Sequence, residues 1–344
     1  MQRTMLKTVA STIVPTVVAL ALAFTPAKAV AMDVKVGVAG ASSQLALLAF
    51  NVARTKGFIK EQGVNLEVID FGSGSKGVQA FVSGDVDFVA ATFEHSIRLN
   101  SKGISAKSVV SMSKAPGIVV GVTKDFAPKY KDVKDLVGMN FGVSAPGSAS
   151  HSFLKLFLTS NGLKPDSVGV IGVGNAAGAV AAVRTGNQLQ AMVNYDPVIT
   201  MLETSGDLKV VLDLRDTAIT KQVLGIDFTF LSLITNDRYI QKNPQAVQAV
   251  VTGVVKALKW IPTATPEQVL AAVPEAFWKE NRQLYLESIK KNLSGLSTDG
   301  QVTRSEAEGV YKALLTDDKQ VDPAKVDFAK TFDNSFAAKA NLTN

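Results

Sequence analysis

One short sequence pattern occurs twice, about 100 residues apart, and it constrains the fold more than any other feature of the chain. Residues 80–84 (AFVSG) and 182–186 (AVRTG) each lie between a helix-like stretch and a short apolar stretch that is typical of a strand. Gly63 and Gly162 occupy equivalent places before the strand that precedes each copy. Two copies of one helix–turn–strand pattern predict two similar α/β units. The length of 344 residues fits two such units better than one core.

The first unit alternates between strand and helix patterns. Residues 34–38, 64–70 and 86–89 have the apolar or alternating pattern of short strands. Residues 45–55 have the spacing of an amphipathic helix, and a second helix follows the glycine-rich loop at residues 72–75. Strands and helices in this order, joined by short connections, predict a parallel sheet with right-handed crossovers.

The second unit repeats this order, and the rest of the chain is mainly helical. Strands are predicted at residues 139–144 and 168–173. Two apolar extended runs, residues 117–123 and 228–235, stand where the chain passes from one unit to the other. A further helix is predicted from Pro244 to Trp260, because proline is favoured at the first helical position.

The beginning of the chain has the order of a secretory signal peptide. Basic residues precede an apolar run at residues 9–24, and small residues follow in the frames that end at Ala29 and Ala31. The run is shorter than the ~20 apolar residues that a membrane span requires. We therefore expect residues 1–31 to be a signal peptide, cleaved after Ala29 or Ala31, and the mature protein to be periplasmic.

The composition excludes several classes of function. The chain has no cysteine, so it has no disulfide, no zinc–thiolate site, no cysteine nucleophile and no lipid anchor on a lipobox cysteine. Its two histidines, His95 and His151, are too few for a histidine-rich metal site, and we expect neither a metal nor a cofactor. The net charge is +6, of which residues 1–31 supply three charges. Because no block of Lys and Arg with interleaved aromatic residues occurs, we expect no nucleic-acid partner.

Polar residues cluster where the predicted strands of the first unit end. The loop at residues 72–75 (GSGS) opens a helix, whose first N–H groups lack partners and whose dipole favours negative charge. In open α/β sheets, ligands bind outside the carboxyl ends of the strands. The candidate ligand-binding residues of the first unit are Ser42, Gln44, Ser73, Gly74, Ser75, Thr92, Phe93 and Glu94.

The second unit offers candidates at matching positions. A polar loop follows the strand at residues 139–144, before a helix predicted from Phe153 to Ser160. Asn175 opens the helix after the strand at residues 168–173. The candidate ligand-binding residues of the second unit are Gly147, Ser148, Ser150, His151, Asn175, Asn194 and Asp196. We expect the strand ends of both units to face one cleft.

Two carboxylates in this set bear on the ligand. Glu94 and Asp196 occupy corresponding positions in the two units, and each has an alternative structural partner in Arg98 or Arg184. A carboxylate in the cleft disfavours a purely anionic ligand and suits an ammonium, amide or hydroxyl group. A zwitterion such as an aminosulfonate, or a heterocycle with N–H donors, therefore fits better than nitrate or a simple alkylsulfonate. Phe93 has the alternative of a core position.

Several phrases, in order along the chain, resemble one family of proteins. They are residues 56–64 (KGFIKEQGV), 72–75 (GSGS), 80–88 (AFVSGDVDF), 134–138 (KDLVG), 243–244 (NP) and 257–260 (ALKW). The set resembles the solute-binding proteins of ABC importers in the nitrate/sulfonate/taurine and thiamine-precursor group, which is called NMT1/THI5-like. The resemblance covers nearly the whole chain after residue 31.

The resemblance implies an α/β fold of the type II periplasmic binding protein class, in which two crossover strands form a hinge. It implies one lobe formed by residues 32–118 and 229–344, the latter with the C-terminal helices, and a second lobe formed by residues 119–228. It further implies a monomer that captures a small-molecule solute and delivers it to an ABC permease with its ATPase.

Two alternative functions remain at this stage. The first is an enzyme of the thiamine-pyrimidine type on the same fold. The resemblance implies that such synthases rely on a cysteine-rich motif, which this chain lacks. The second is a ligand-sensing module of a regulator, for which the chain shows no DNA-binding or transmembrane partner segment. Enzymatic activity is therefore not expected.

Overall fold

Ten strands and fourteen α-helices alternate along the described part of the chain. The structure is a computed structural model and describes residues 31–38, 45–185, 188–315 and 321–343. The strands are β1 (Met32–Val38), β2 (Val64–Asp70), β3 (Phe88–Thr92), β4 (Lys107–Ser111), β5 (Ile118–Thr123), β6 (Asn140–Val143), β7 (Gly169–Gly172), β8 (Ala191–Tyr195), β9 (Leu208–Leu214) and β10 (Leu231–Thr235).

The helices surround the strands and form the whole C-terminal part. They are α1 (Leu48–Thr55), α2 (Gly74–Ser83), α3 (Glu94–Ser101), α4 (Ala149–Ser160), α5 (Ala177–Arg184), α6 (Val198–Thr204), α7 (Thr217–Leu224), α8 (Asp237–Lys242), α9 (Pro244–Trp260), α10 (Pro266–Ala271), α11 (Glu275–Trp278), α12 (Arg282–Asn292), α13 (Arg304–Leu315) and α14 (Ser335–Thr343). Short 3₁₀ helices are Leu45–Leu47, Lys60–Gln62, Val133–Leu136, Pro165–Ser167, Ile261–Thr263, Leu293–Gly295, Pro323–Lys325 and Phe328–Lys330.

The strands form two five-stranded sheets with the same internal order. The first sheet runs β2-β1-β3-β10-β4 and the second runs β7-β6-β8-β5-β9. In each sheet the first three strands pair in parallel. The two similar α/β units predicted from the repeated sequence pattern are therefore confirmed.

Each sheet also contains one antiparallel strand, which the sequence pattern did not predict. β10 pairs antiparallel with β3 and β4, and β5 pairs antiparallel with β8 and β9. β5 follows the last strand of the first sheet and β10 follows the last strand of the second, so each enters its sheet from the other unit. Because each strand enters from the other unit, no βαβ crossover within its own sheet sets its direction, and it can run antiparallel to its neighbours.

The two segments that cross between the sheets lie side by side. The amide of Phe230 donates to the carbonyl of Ser113 at 2.9 Å, and the amide of Met112 donates to the carbonyl of Leu231 at 2.7 Å. The hydroxyls of Ser111 and Thr229 lie 2.8 Å apart. These bonds join the crossing segments into one narrow connection behind the strand ends.

The repeated glycines have the same conformation in both units. Gly63 has φ +79° and Gly162 has φ +75°, each where a helical stretch ends and the chain turns toward the next strand. This left-handed region favours glycine, because a Cβ there clashes with the backbone. The equivalence of the two positions is thus structural as well as sequential.

Helix α9 organises the C-terminal part. It spans Pro244–Trp260, as predicted, and buries eleven of its residues against α1, α14 and neighbouring elements. A Cβ at Gly253 would lie 2.8 Å from the backbone of Ile59, so this glycine permits the close approach of α9. In the described residues no helix has both the length and the apolarity that crossing a membrane requires.

Several expectations differ from the structure or lie outside it. Helix α4 begins at Ala149 rather than at residue 153, because the Ser148 side chain caps it, and helix α7 was not predicted. The predicted signal peptide up to residue 30, and Ser42 and Gln44, lie outside the described residues.

Candidate ligand-binding site

The ends of the two sheets meet at a pocket that contains polar residues from both, which we call the polar pocket. Six of the predicted residues line it: Ser73, Gly74, Ser75, Thr92, Ser148 and Asn175. The residues that line it and were not predicted include His95, Ser144, Tyr195 and Phe230. The first sheet thus contributes the start of α2 and the end of β3, and the second contributes the start of α4 and the loop before α5.

Two serines, Ser73 and Ser75, lie at the start of α2, where the first N–H groups of the helix face the polar pocket. Ser73 has an extended backbone, and its Oγ accepts a bond from the amide of Lys76 at 3.5 Å. The Oγ atoms of Ser73 and Ser75 lie 3.4 Å apart. One capping bond leaves other N–H groups of the first turn available to a ligand.

A network of three serines supports the start of α4. Ser148 Oγ accepts from the hydroxyl of Ser144 at 2.9 Å and lies 3.0 Å from Ser150 Oγ. Ser150 is fully buried, and its Oγ accepts from the amide of Ser144 at 2.9 Å. Ser150 therefore lies behind the pocket wall and orients Ser144 and Ser148.

Gly147 and His151 do not line the polar pocket. The amide of Gly147 donates to Nδ1 of His151 at 2.9 Å, so the two residues bond to each other beside the start of α4. We remove both from the candidate ligand contacts, because this bond engages the polar groups that the sequence analysis assigned to the ligand.

His95 follows Glu94 in the first turn of α3 and was missed by the sequence analysis. A Cβ at Gly74 would lie 4.0 Å from its Nε2, so the ring faces the start of α2. Burial lowers the pKa of His95 below its ordinary value; the negative charge of Glu94 opposes this shift and the positive charge of Arg98 adds to it. A neutral imidazole near neutral pH offers one donor and one acceptor.

A second, mainly apolar space adjoins the polar pocket, and we call it the apolar pocket. Its apolar lining includes Ile118, Phe153, Leu156, Phe228, Phe230 and Leu314. Thr92, Ala149 and Phe230 line both pockets, so the two spaces are adjacent. The apolar pocket has a cavity volume of about 50 Å³, and its mainly apolar lining favours the carbon skeleton of a small organic molecule.

Three aromatic rings continue from one pocket into the other. The ring centroids of Phe228 and Phe230 are 6.5 Å apart in a stacked arrangement, and Phe230 and Tyr195 are 6.2 Å apart. Phe93 also lines the apolar pocket, but it is fully buried among Ile97 and residues of α13. Phe93 therefore lines the apolar pocket and is also part of the core, which was the alternative considered for it.

Glu94 lies in the apolar pocket together with Arg98. Its Oε2 is 3.8 Å from an Nη of Arg98, and the side chains are 15% and 26% exposed. Arg98 also reaches the second unit, where its Nη2 lies 3.4 Å from Ser152 Oγ. Burial raises the pKa of Tyr195, and the negative charge of Glu94 raises it further. Because Arg98 offsets the charge of Glu94, Glu94 disfavours an anionic ligand less than the sequence alone indicated.

Thr92 stands at the junction of the two pockets. Its Oγ1 is buried and has no hydrogen-bond partner in the part of the chain that the structure describes. A buried hydroxyl without a partner is unfavourable, and a ligand atom at this junction would satisfy it.

Asp196 is engaged in a buried network and not in the pocket. Its Oδ2 accepts from Arg215 Nη1 at 3.0 Å and from Asn292 Nδ2 at 2.7 Å, and its Oδ1 accepts from the amide of Thr200 at 2.8 Å. The side chain is fully buried. The predicted ligand role of Asp196 is withdrawn, and its partner is Arg215, because Arg184 instead pairs with Asp207.

Asn194 is likewise structural. Its Nδ2 donates to the carbonyl of Gly174 at 2.9 Å, and its Oδ1 accepts from the amide of Tyr195 at 2.9 Å. Successive side chains of a strand point to opposite faces. That alternation brings Tyr195 to the pocket and turns Asn194 away from it.

Comparison with known proteins supports the same fold and family. A solved structure from Bordetella bronchiseptica RB50 is 38% identical, has a TM-score of 0.85, and covers 90% of this chain and 97% of its own. The alkanesulfonate-binding protein SsuA from Xanthomonas axonopodis pv. citri, bound to MOPS, has a TM-score of 0.69 at 17% identity, covering 89% of this chain and 100% of its own.

A more distant relative is an enzyme. The 4-amino-5-hydroxymethyl-2-methylpyrimidine phosphate synthase THI11 of Saccharomyces cerevisiae is 24% identical over 249 residues, which are 67% of this chain and 64% of the yeast protein. A family model described as "NMT1/THI5 like" matches residues 46–269. The match spans the repeated units, both crossing segments and helix α9, and the chain therefore belongs to the NMT1/THI5 like family and has the periplasmic binding protein fold.

Proposed function

We propose that this protein is the solute-binding component of an ABC importer and that it binds a small organic anion between its two sheets. The observation that carries the proposal is the meeting of two helix starts, α2 from the first unit and α4 from the second, at one polar pocket. Each start presents N–H groups and the positive end of a helix dipole. An acidic group between them would interact with both units at once.

The adjoining apolar pocket suits the carbon skeleton of such a ligand. Nitrate would leave this space and its aromatic rings unfilled, whereas an organic sulfonate or carboxylate would bury apolar surface there. The SsuA structure with bound MOPS is a sulfonate complex on the same fold, which supports the choice of an organic anion. An aminosulfonate remains within the class, since Glu94 lies in the apolar pocket.

Transport follows from the two-unit design. A ligand that contacts both units stabilises the arrangement in which they are closed, and a permease can distinguish that arrangement from the open one. In this proposal the lobes are residues 32–118 with 229–344 and residues 119–228, the crossing segments form the hinge, and residues 1–31 direct export to the periplasm. The ligand is released unchanged, so no catalytic step is assigned.

Calorimetry with a ligand panel tests the proposal. The panel contains alkane- and benzenesulfonates, taurine, aromatic acids, nitrate and pyrimidines. We expect saturable one-to-one binding of an organic acid, recovery of the ligand without chemical change, and a raised melting temperature by mass action. Conversion of a bound pyrimidine to a product would favour the synthase alternative, and a panel in which no organic acid binds would overturn the proposal.

Two asparagines provide a matched pair of variants. Asn175 lines the polar pocket and its carboxamide makes no hydrogen bond among the described residues, whereas Asn194 is bonded on both sides. Asn175→Ala should weaken binding by about tenfold, because the variant loses one hydrogen bond to a charged group of the ligand. Its free energy of unfolding should be unchanged. Asn194→Ala should lower the free energy of unfolding by about 1–3 kcal/mol, because it leaves buried backbone groups without partners. Binding by Asn175→Ala at wild-type affinity would remove this pocket from the account.

A further inference from the structure

A third space adjoins the apolar pocket between the second unit and helix α13, and we call it the apolar groove. Its apolar lining includes Phe153, Leu156, Phe157, Val211, Leu224 and Ala313. Phe153, Leu156 and Ala313 line both the apolar pocket and the groove. The groove contains about 1150 Å³ between atoms, including space open to solvent, so it is larger than the pocket it adjoins.

One face of helix α4 connects the three spaces. Ala149 lines the polar pocket, Phe153 and Leu156 line the apolar pocket and the groove, and Phe157 and Ser160 line the groove alone. Residues spaced by three or four lie on one side of a helix. With a rise of about 1.5 Å per residue, the path from Ser148 to Ser160 is about 18 Å long.

The path changes in polarity along its length. Its first end carries the serines and helix starts proposed to bind an acidic group. Its other end is lined by more apolar than polar surface, with Tyr130, Ser160, Asn161 and Lys312 at its edges and Val223 at 47% exposure. Covering apolar surface of this kind with an apolar group is favourable. A molecule that matches the whole path has an acidic head and an apolar tail.

We propose that the natural ligand is an amphiphilic organic acid whose tail leaves the apolar pocket between Leu156 and Ala313 and lies in the apolar groove. This inference rests on the proposed function, since it takes the acidic head to be bound in the polar pocket. From Ser148 to Leu156 the helix path is about 12 Å. An extended carbon chain with bonds of about 1.5 Å advances about 1.3 Å per carbon, so tails longer than about nine carbons reach the groove.

A series of linear sulfonates tests the tail site. Butane-, octane-, decane- and dodecanesulfonate are titrated calorimetrically into the purified protein below their micelle concentrations. Burying one CH₂ contributes ~0.8 kcal/mol, so we expect the affinity to rise by up to about fourfold per methylene. From octanesulfonate to dodecanesulfonate the affinity should still rise by at least about tenfold. Dodecyltrimethylammonium carries the same tail on a cationic head and should not bind.

A variant at the junction separates the groove from the pocket. Ala313→Trp fills the passage and should leave butanesulfonate affinity within about twofold, while reducing dodecanesulfonate affinity to the level of octanesulfonate. Ala271→Trp is the matched control, because Ala271 is exposed on α10 and lines none of the three spaces. It should bind the whole series as the wild type does.

The outcomes distinguish this inference from the proposed function. If butanesulfonate binds and the affinity stops rising at or before octanesulfonate, the tail site is wrong and the organic-anion site stands. The tail site is also wrong if the affinity rises equally along the series in Ala313→Trp and in the wild type. It is wrong as well if dodecyltrimethylammonium binds as tightly as dodecanesulfonate. If no member of the series binds and no other organic acid does, the proposed function itself fails.

Discussion

The ends of strands β3 and β8 occupy corresponding places in the two units, yet their polar residues have different roles. At the end of β3, the buried hydroxyl of Thr92 has no partner among the described residues, and Glu94 lies in the apolar pocket beside Arg98. At the end of β8, both ends of the Asn194 carboxamide are hydrogen-bonded, and Asp196 is enclosed by Arg215 and Asn292. The first segment has polar groups available to a ligand, and the second uses its polar groups for packing.

The difference arises from what packs against each segment. Asn292 lies at the end of α12, and Lys291 beside it pairs with Glu203 of α6 at 2.6 Å. The C-terminal helices thus cover the end of β8 with hydrogen-bond partners. A repeat in the sequence therefore transfers the fold from one unit to the other, but not the role of each residue.

The largest expected effect is on stability at Asp196. Asp196→Ala removes a fully buried carboxylate that accepts from Arg215, Asn292 and the amide of Thr200, and we expect the free energy of unfolding to fall by about 3–5 kcal/mol. Glu94→Ala removes one partner of a partly exposed pair at 3.8 Å and should cost less than about 1 kcal/mol. Urea denaturation of both variants measures the contrast, and similar losses would show that the two segments do not differ in this way.

The next effect is on binding at Thr92. Thr92→Val removes a hydroxyl that no described residue bonds, so unfolding should be unchanged while the affinity for a bound organic acid falls by about tenfold. Thr235→Val is the control, because its hydroxyl donates to the carbonyl of Asp87 at 2.8 Å away from the pocket. That variant should lose about 1 kcal/mol of stability and retain binding. Unchanged affinity in Thr92→Val would place the ligand elsewhere.

A change of charge at Glu94 should alter affinity in a direction that depends on the ligand. Glu94→Gln removes a negative charge from the apolar pocket, so a plain sulfonate should bind about fivefold more tightly and an aminosulfonate about fivefold more weakly. Calorimetry with hexanesulfonate and with an aminoalkanesulfonate measures both signs. If neither affinity changes, Glu94 is structural like Asp196 and the contrast between the two segments disappears.

The smallest effect is the pH dependence that His95 introduces. Burial lowers its pKa below the ordinary 6.5, so the unfolded chain binds a proton before the folded protein does as the pH falls. The free energy of unfolding should therefore decrease as the pH falls below about 6.5, until the lowered pKa is reached, and His95→Gln should reduce this dependence. Denaturation at a series of pH values from 8 to 5 measures it. An unchanged slope in the variant would show that His95 titrates as it does in the unfolded chain.

The strands and helices could be predicted well because their patterns are local. β2 and α9 have the predicted bounds, and the glycines at Gly63 and Gly162 mark the predicted turns. The start of α4 was placed too late, since the cap depends on the serine network around Ser148 and not on the apolar spacing.

The site could be predicted only where a helix start or strand end marks it. Ser73, Ser75, Ser148 and Asn175 have that signal, and the structure brings them together. Phe230 had none, because it precedes strand β10, on the segment that returns from the other unit. His95 and Tyr195 had a weak signal, the residue next to each predicted carboxylate.

Asp196 shows why a matching position is not enough. Its partner Arg215 lies on the segment after β9, whereas the cation predicted from the sequence was Arg184. Only the packing of α12 against the second unit decides which side of the carboxylate is enclosed. That contact is distant in sequence and leaves no local pattern.

A crystal structure of the protein with a sulfonate from the binding series tests the central claim most directly. The account predicts sulfonate oxygens within hydrogen-bond distance of residues 73–75 and of Ser148 or Asn175 in the same molecule, with the carbon chain in the apolar pocket and Asp196 still bonded to Arg215. A sulfonate that contacts only one of the two sheets, or that is bound by Asp196, would contradict it.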